Sequence, residues 1–301
     1  MPLPEPGLTS APAKRRRIVN DEGSTAAPDS PPDESEVLAR ARRALTSSEI
    51  GAIARAWDHD DSSLVVVWAP RALGGLGSAP QLGKHFGRLR DYRRSGRINM
   101  WLFDETIINT YMYLLQERDK RWCEGAEGRR RTCFLSSFFL EKMLTSGSYL
   151  YEYLRRSAER SIPGGNVFAL RRLVVPININ NCHWCLCVAD IEGKHIQLYD
   201  PMWPGYDTSK YGDGLKRWLT EEAKKWRGKG NDDLLDIESW VVETSTPAGT
   251  PRQPDKVNCG VYVSYFANFL AAGASLSFNK DDIPCLRRRM TLDLLGGAVG
   301  D

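Results

Sequence analysis

The turn Ile191-Glu192-Gly193-Lys194, set between two runs of strand-forming residues, restricts the fold of this chain more than any other stretch. Leu170 to Asp190 reads as strand, turn and strand, and His195-Ile196-Gln197-Leu198-Tyr199-Asp200 reads as the next strand. Pairing about the turn sets Asp200 opposite Cys185 and one diagonal step from His183 on the same face, roughly 7–8 Å away at the backbone. A histidine and a carboxylate side chain can meet across that gap. The carboxylate then fixes the imidazole tautomer and stabilises its cation, leaving the other ring nitrogen for a thiol. Taken singly, Tyr-Asp-Pro is as often a strand-ending turn, and a lone histidine is more often a structural residue.

The thiol is Cys259. It follows a segment marked by proline and glycine, Thr246 to Asn258, and directly precedes the apolar stretch Val261 to Ala272, which reads as a buried helix. At a helix N-terminus the unpaired N–H groups and the dipole favour a negative charge, which lowers a thiol's pKa. The bland alternative is a buried structural cysteine. Gln253, six residues earlier, is placed to offer its side-chain N–H to the oxygen that turns negative when a thiolate attacks a carbonyl, with the Cys259 N–H as second donor. A metal site built on Cys182, His183, Cys185 and Cys187 is not expected. Same-face residues on one strand lie roughly 6.5–7 Å apart, too far for tetrahedral ligands at about 2.0–2.3 Å from one zinc.

The remaining elements follow from local pattern. Residues 1–37, rich in Pro, Ser, Ala, Asp and Glu, read as a disordered tail, within which Lys14-Arg15-Arg16-Arg17 is either a nuclear-import signal or a solvated charge cluster. Order is expected from about Glu36, where Val37, Leu38, Ala41, Ala44 and Leu45 recur at helical spacing, and a second helix after the capping-type sequence Thr46-Ser47-Ser48-Glu49. Leu64 to Trp68 reads as a strand and Gly74 to Gly87 as a loop. Asp104 is expected to cap a helix through Ile107, Ile108, Tyr111, Met112, Leu114 and Leu115, and the charged stretch Glu117 to Arg131 reads as loop-like. Cys133 to Leu144 reads as a helix, Tyr211 to Arg227 as another, Ser239 to Glu243 as a strand and Ile283 to Leu295 as a final helix.

Length and charge bound the whole. The 301 residues allow two ordinary domains or one larger domain with a tail. The net charge of +3 sits in the first hundred residues, which hold 15 basic against 12 acidic groups, while residues 101–301 balance at 26 each, so a nucleic-acid partner is not expected. The longest uncharged run, Val257 to Asn279, is interrupted by polar residues and reads as a buried helix rather than a membrane span. No basic-then-apolar leader opens the sequence, so a secreted protein is not expected and the seven cysteines read as thiols.

Five strings in order resemble the SUMO-specific (sentrin-specific) cysteine proteases, the ubiquitin-like-protein protease family: WLFDETIINTYMYLL from Trp101, CFLSSFFLEKML, VVPININNCHWCLCVAD, LYDP and RQPDKVNCGVYV. The likeness covers about residues 98–296, so one catalytic domain is expected over 38–301. The resemblance implies an α+β, papain-like or adenain-like cysteine protease fold. Its central sheet is mostly antiparallel, flanked by helices, with the nucleophile at a buried helix N-terminus.

For the site, the resemblance implies a triad of His183, Asp200 and Cys259 with Gln253 in the oxyanion hole. Trp101 and Trp184 would flank a narrow tunnel for the Gly-Gly terminus of a ubiquitin-like modifier, and Asp104 would contact that modifier or simply cap its helix. The implied partners are such a modifier, foremost SUMO, and its protein conjugates. A monomer without metal or organic cofactor, nuclear or nucleocytoplasmic, is expected. A protease for NEDD8 or ubiquitin, an acetyltransferase on the same triad, a non-catalytic modifier-binding module and a nuclear interaction protein are the rivals. The family usually carries Asp directly before the nucleophile, where this chain has Asn258, which caps a helix about as well.

Overall fold

The computed structural model describes residues 34–58, 65–69, 79–90, 103–126, 128–145, 151–230 and 232–300. The run Lys14 to Arg17 and Trp101 lie outside them, as does all of the expected tail up to residue 33. Helix α1 (Glu34–Arg42) leads to α2 (Ser47–Trp57), whose start is fixed by a capping box. Thr46 Oγ1 accepts from the Glu49 N–H at 3.2 Å, and Glu49 Oε2 accepts from the Thr46 N–H at 2.8 Å, so two otherwise unpaired donors are satisfied at once. Strands β1 (Val65–Ala69) and β2 (Ala79–Leu82) pair antiparallel, and α3 (Gly83–Gly87) follows. The glycine-rich stretch read as a loop therefore contains a short strand and a helical turn: β1 supplies a pairing partner that local composition does not reveal.

Helix α4 (Glu105–Gly125) begins where Asp104 accepts from the Ile107 N–H at 3.1 Å, and it runs well past the expected end. Two of the charges that suggest a loop, Arg118 and Asp119, turn inward. Arg118 is buried with its guanidinium 4.2 Å from the Trp122 ring, and buried Asp119 accepts the Thr132 N–H at 2.9 Å. Thr132–Phe134 forms β3, so Cys133 and Phe134 are strand, and helix α5 (Phe138–Thr145) starts later than the apolar run implies. Phe134 and its neighbours are captured by pairing with β4 (Arg172–Ile179), a long-range contact that overrides helical periodicity. Between them lies α6 (Tyr151–Glu159).

The sheet continues with β5 (His183–Asp190), β6 (His195–Tyr199) and β7 (Val241–Glu243), in the order β3-β4-β5-β6-β7. Its centre, β4-β5-β6, is antiparallel as expected, but the two outer pairs, β3-β4 and β6-β7, are parallel, so the sheet is mixed. Leu186 faces Tyr199 and Cys187 faces Leu198, the register the turn implies.

Alternation along β5 divides the core. Trp184, Leu186 and Val188 join the cluster formed with α4, α8 (Cys259–Ala272) and α9 (Ile283–Gly296). Cys185, Cys187 and Ala189 join the cluster on the other face, with α5 and α7 (Ser209–Trp226). There Trp218 is fully buried edge-on against Phe139, ring centroids 5.2 Å apart. Such a burial contributes about 1.5–3 kcal/mol. Gly273, at φ 79°, ends α8 in the left-handed conformation that glycine adopts without steric penalty. No helix among the described residues is long and apolar enough to cross a membrane.

Candidate active site

His183 opens β5 and Asp200 stands one residue past β6, so the hairpin register brings them to the same end of the sheet. His183 Nε2 lies 2.7 Å from Asp200 Oδ1, and each side chain is 1% exposed. Asp200 is itself held: the Met202 N–H donates to Oδ1 at 2.7 Å, and the Asp200 N–H donates to Thr246 Oγ1 at 2.8 Å. The Tyr206 ring stacks on the imidazole, with centroids 4.5 Å and planes 13° apart. Close to the pair lies the buried Cys185 thiol, raised well above the usual thiol range by burial and by the neighbouring Asp200 carboxylate.

Cys259 is the first residue of α8 and is 1% exposed. The main-chain N–H groups of Trp184 and Gly260 lie close enough to act on its sulfur. These donors and the Arg287 guanidinium favour the thiolate, as the helix-start position leads one to expect. Burial outweighs them and pushes the thiol up to about 11. Gly260 is required beside it, because a Cβ there would come within 2.7 Å of the Phe103 ring.

The remaining expected residues divide. Gln253 is buried, and its Nε2 donates to the Asp255 carbonyl at 2.8 Å. Trp184 is buried and donates its indole N–H to the Phe103 carbonyl at 2.7 Å. Trp101 is outside the described residues. Asp104 caps α4 and lies 3.5 Å from Arg88 and 3.8 Å from His85.

Asn258 does not cap α8. Its φ of −98° and ψ of 3° lack the extended geometry a capping side chain needs, and its amide instead links Asp255 to Arg287. Of the four residues weighed for zinc, His183 and Cys185 converge with Asp200, their donor atoms all within 4.8 Å. The 2.7 Å His183–Asp200 separation is a hydrogen bond; two tetrahedral ligands at about 2.0 Å from zinc would stand roughly 3.3 Å apart.

Three participants are not identified by the sequence reading. Tyr206 sits in a Pro-Gly turn with no pattern pointing to the imidazole, and Arg287 belongs to the final expected helix, on which the pattern singles out no residue. Asp255 does carry a signal, the Asp side chain bonding main-chain N–H groups two and three residues on, as in an Asx turn.

Comparison with known proteins gives this geometry its relatives. The model of the Ulp1 protease family, C-terminal catalytic domain, matches residues 101–295. Human Sentrin-specific protease 2 is 30% identical over 195 residues, 65% of this chain and 30% of that protein. Ubiquitin-like-specific protease 1A of Arabidopsis thaliana is 30% identical over 198 residues, 65% of this chain and 36% of that protein. The chain thus spans about a third of the length of these relatives.

Among solved structures, the C-terminal Ulp1 protease domain in complex with Smt3, the yeast ortholog of SUMO, superposes with a TM-score of 0.63 at 20% identity, covering 85% of this chain and 97% of that one. The Chaetomium thermophilum Ulp1-like SUMO protease catalytic domain superposes at 0.62 and 19% identity, covering 86% and 93%. Both share the α+β cysteine protease fold with this chain. With the family model spanning α4 through α9 and including His183, Asp200 and Cys259, the chain belongs to the Ulp1 protease family.

Proposed function

We propose that this chain is a cysteine-type peptidase and isopeptidase that cleaves after the C-terminal Gly-Gly of a ubiquitin-like modifier, with SUMO as the modifier. The observation that carries the reading is the buried 2.7 Å contact between His183 and Asp200, with Cys259 at the start of α8, the helix that packs on the strand His183 opens. Asp200 orients His183 and stabilises its cation. His183 takes the Cys259 proton as sulfur attacks the scissile carbonyl, so the costly buried thiolate forms only together with its imidazolium partner.

The tetrahedral oxyanion is stabilised by the Cys259 N–H and by Gln253 once its amide turns from the Asp255 carbonyl. The C–N bond then breaks, His183 gives the proton to the leaving amine, and water hydrolyses the thioester.

Trp101 and Trp184 would admit only residues without side chains, selecting Gly-Gly by exclusion of bulk. Asp104 would steady the approach of the modifier, and Lys14 to Arg17 would direct the protein to the nucleus. The catalytic domain would occupy 38–301, behind a tail of about 37 residues. SUMO, NEDD8 and ubiquitin bearing C-terminal electrophiles test the reading. Labelling of Cys259 by the SUMO probe is expected, labelling by NEDD8 or ubiquitin alone reassigns the substrate, and no labelling of a folded chain indicates a binding module. Relatives named as Sentrin-specific and ubiquitin-like-specific proteases support SUMO first.

A further inference from the structure

The four residues before Cys259 are organised by one carboxylate. Asp255 Oδ1 accepts the main-chain N–H groups of Val257 at 2.8 Å and Asn258 at 2.9 Å, and Oδ2 accepts the Asn258 side-chain N–H at 2.7 Å. The other end of that amide, Asn258 Oδ1, accepts from Arg287 Nε at 2.9 Å. Arg287, 1% exposed, also donates to the Arg88 carbonyl at 2.9 Å and lies 5.0 Å from the Phe103 ring, the ring that packs on Gly260.

On its other side Asp255 receives the Gln253 amide at its carbonyl, 2.8 Å away. Asn258, 2% exposed, cannot reverse its amide, since reversal would set N–H groups against the guanidinium and oxygen against the carboxylate.

We infer that Asp255 is a positioning residue for the reaction centre, ordering the segment between Gln253 and the first turn of the Cys259 helix, and that positions 255 and 258 form an exchangeable pair needing one carboxylate and one amide. The inference rests on the proposed roles of Cys259 and Gln253. Its physical content is a count of donors and acceptors. Exchanging the two side chains puts the amide at position 255 and the carboxylate at position 258. The oxygen of the relocated amide still accepts both main-chain N–H groups, and its N–H2 donates to the relocated carboxylate. That carboxylate accepts from Arg287, so every bond survives with the charge moved. Asp255→Asn alone leaves one acceptor too few, and Asn258→Asp alone sets two carboxylates within hydrogen-bonding distance.

The test uses the full chain and three variants, Asp255→Asn, Asn258→Asp and the double exchange, read at a temperature where circular dichroism finds all four folded. Each single substitution is expected to lower kcat for release of a fluorophore from a modifier C-terminus by roughly 10- to 100-fold with KM little changed. The double exchange is expected to recover to within about threefold of the parent, the closeness expected when all four bonds are rebuilt. Full activity in the single variants, or a folded double exchange no better than the worse single, overturns the inference. If the parent chain acts on no modifier, the proposed function fails instead, and the same ranking read from hydrogen exchange at the Val257 and Asn258 main-chain N–H groups, faster in each single variant and restored in the double exchange, decides the role of Asp255.

Discussion

The Tyr206 ring lies flat on the His183 imidazole, centroids 4.5 Å apart, and so closes one side of the ring that Asp200 grips by its edge. Stacking of this kind is worth about 0.5–1.5 kcal/mol beyond burial. Tyr206→Ala is therefore expected to lower kcat/KM by roughly 2- to 12-fold, since the imidazole gains a rotational freedom it now lacks. Tyr206→Phe keeps the ring and should stay within about twofold, because the hydroxyl makes only a long, 4.0 Å approach to Cys182 Sγ. Steady-state kinetics on a modifier-fluorophore substrate checks both, and equal losses in the two variants would point to the hydroxyl rather than the stack.

Asp200→Asn should reduce kcat by about 10²–10⁴ without unfolding the chain, the scale seen when a triad loses its carboxylate. An asparagine can still accept the Met202 N–H at one atom, but it holds imidazolium without a counter-charge. Single-turnover kinetics together with melting curves separate this outcome from a general loss of structure.

Cys259 ionises against burial, and the sign of the resulting pH dependence follows. Trp184 N–H, Gly260 N–H and Arg287 pull the thiol down, burial and Asp255 push it up, and the balance stands at about 11. In a His183→Ala chain no imidazole takes the proton, so the buried thiol stays largely protonated at pH 7, and alkylation should climb steeply as the pH rises. The parent chain, in which the proposed mechanism forms thiolate and imidazolium together, should alkylate readily near neutrality. Identical profiles in the two chains would remove His183 from the role of base.

How much of this is legible in the sequence depends on how local the cause is. The turn at 191–194 carries its own register, and with it the meeting of His183 and Asp200, because strand alternation and turn length act over a few residues. The Thr46 box and the Asp104 cap are local for the same reason. The strand at Thr132–Phe134 and the inward-facing Arg118 and Asp119 escape a local reading because their partners, β4, the far end of α8 and the Thr132 N–H, lie beyond the local window. Asn258 reads as a cap only until its partner Arg287, 29 residues on, is taken into account.

Gly260→Ala should fold poorly although alanine is the better helix former. The added Cβ meets three Phe103 atoms between 2.7 and 2.9 Å, and Phe103 is fixed through its carbonyl to Trp184. Overpacking of this degree costs about 1–3 kcal/mol, enough to lower the melting temperature by roughly 2–12 °C. Gly125→Ala, at the end of α4 with nothing within 4 Å of the new Cβ, is the control and should leave stability unchanged or raise it by up to about 1 kcal/mol. Differential scanning fluorimetry compares the two.

The ion pair between Arg40 and Asp293 decides whether α1, which lies outside the family's matched residues, is an integral part of the fold. Arg40 Nη2 lies 2.5 Å from Asp293 Oδ1, and Asp293 is 2% exposed. Burial raises the Asp293 carboxyl, while Arg40, Arg289 and Arg118 oppose that rise. Arg40→Met removes the hydrogen-bonded partner, so the carboxyl rises further above its unfolded value, and at neutral pH the loss should be about 3–5 kcal/mol.

The sign across pH is fixed. A carboxyl whose folded pKa exceeds its unfolded one contributes stability below the unfolded pKa and loses it as pH rises through the folded one. The deficit of Arg40→Met relative to the parent should therefore be smallest near pH 4 and widen towards pH 7. Arg40→Met/Asp293→Leu, with no buried charge left behind, should recover most of it. Urea unfolding of the three chains at both pH values measures this; a deficit that does not change with pH would mean that Arg40 acts through packing alone and that α1 is held by its apolar face, Val37, Leu38 and Ala41, rather than by charge.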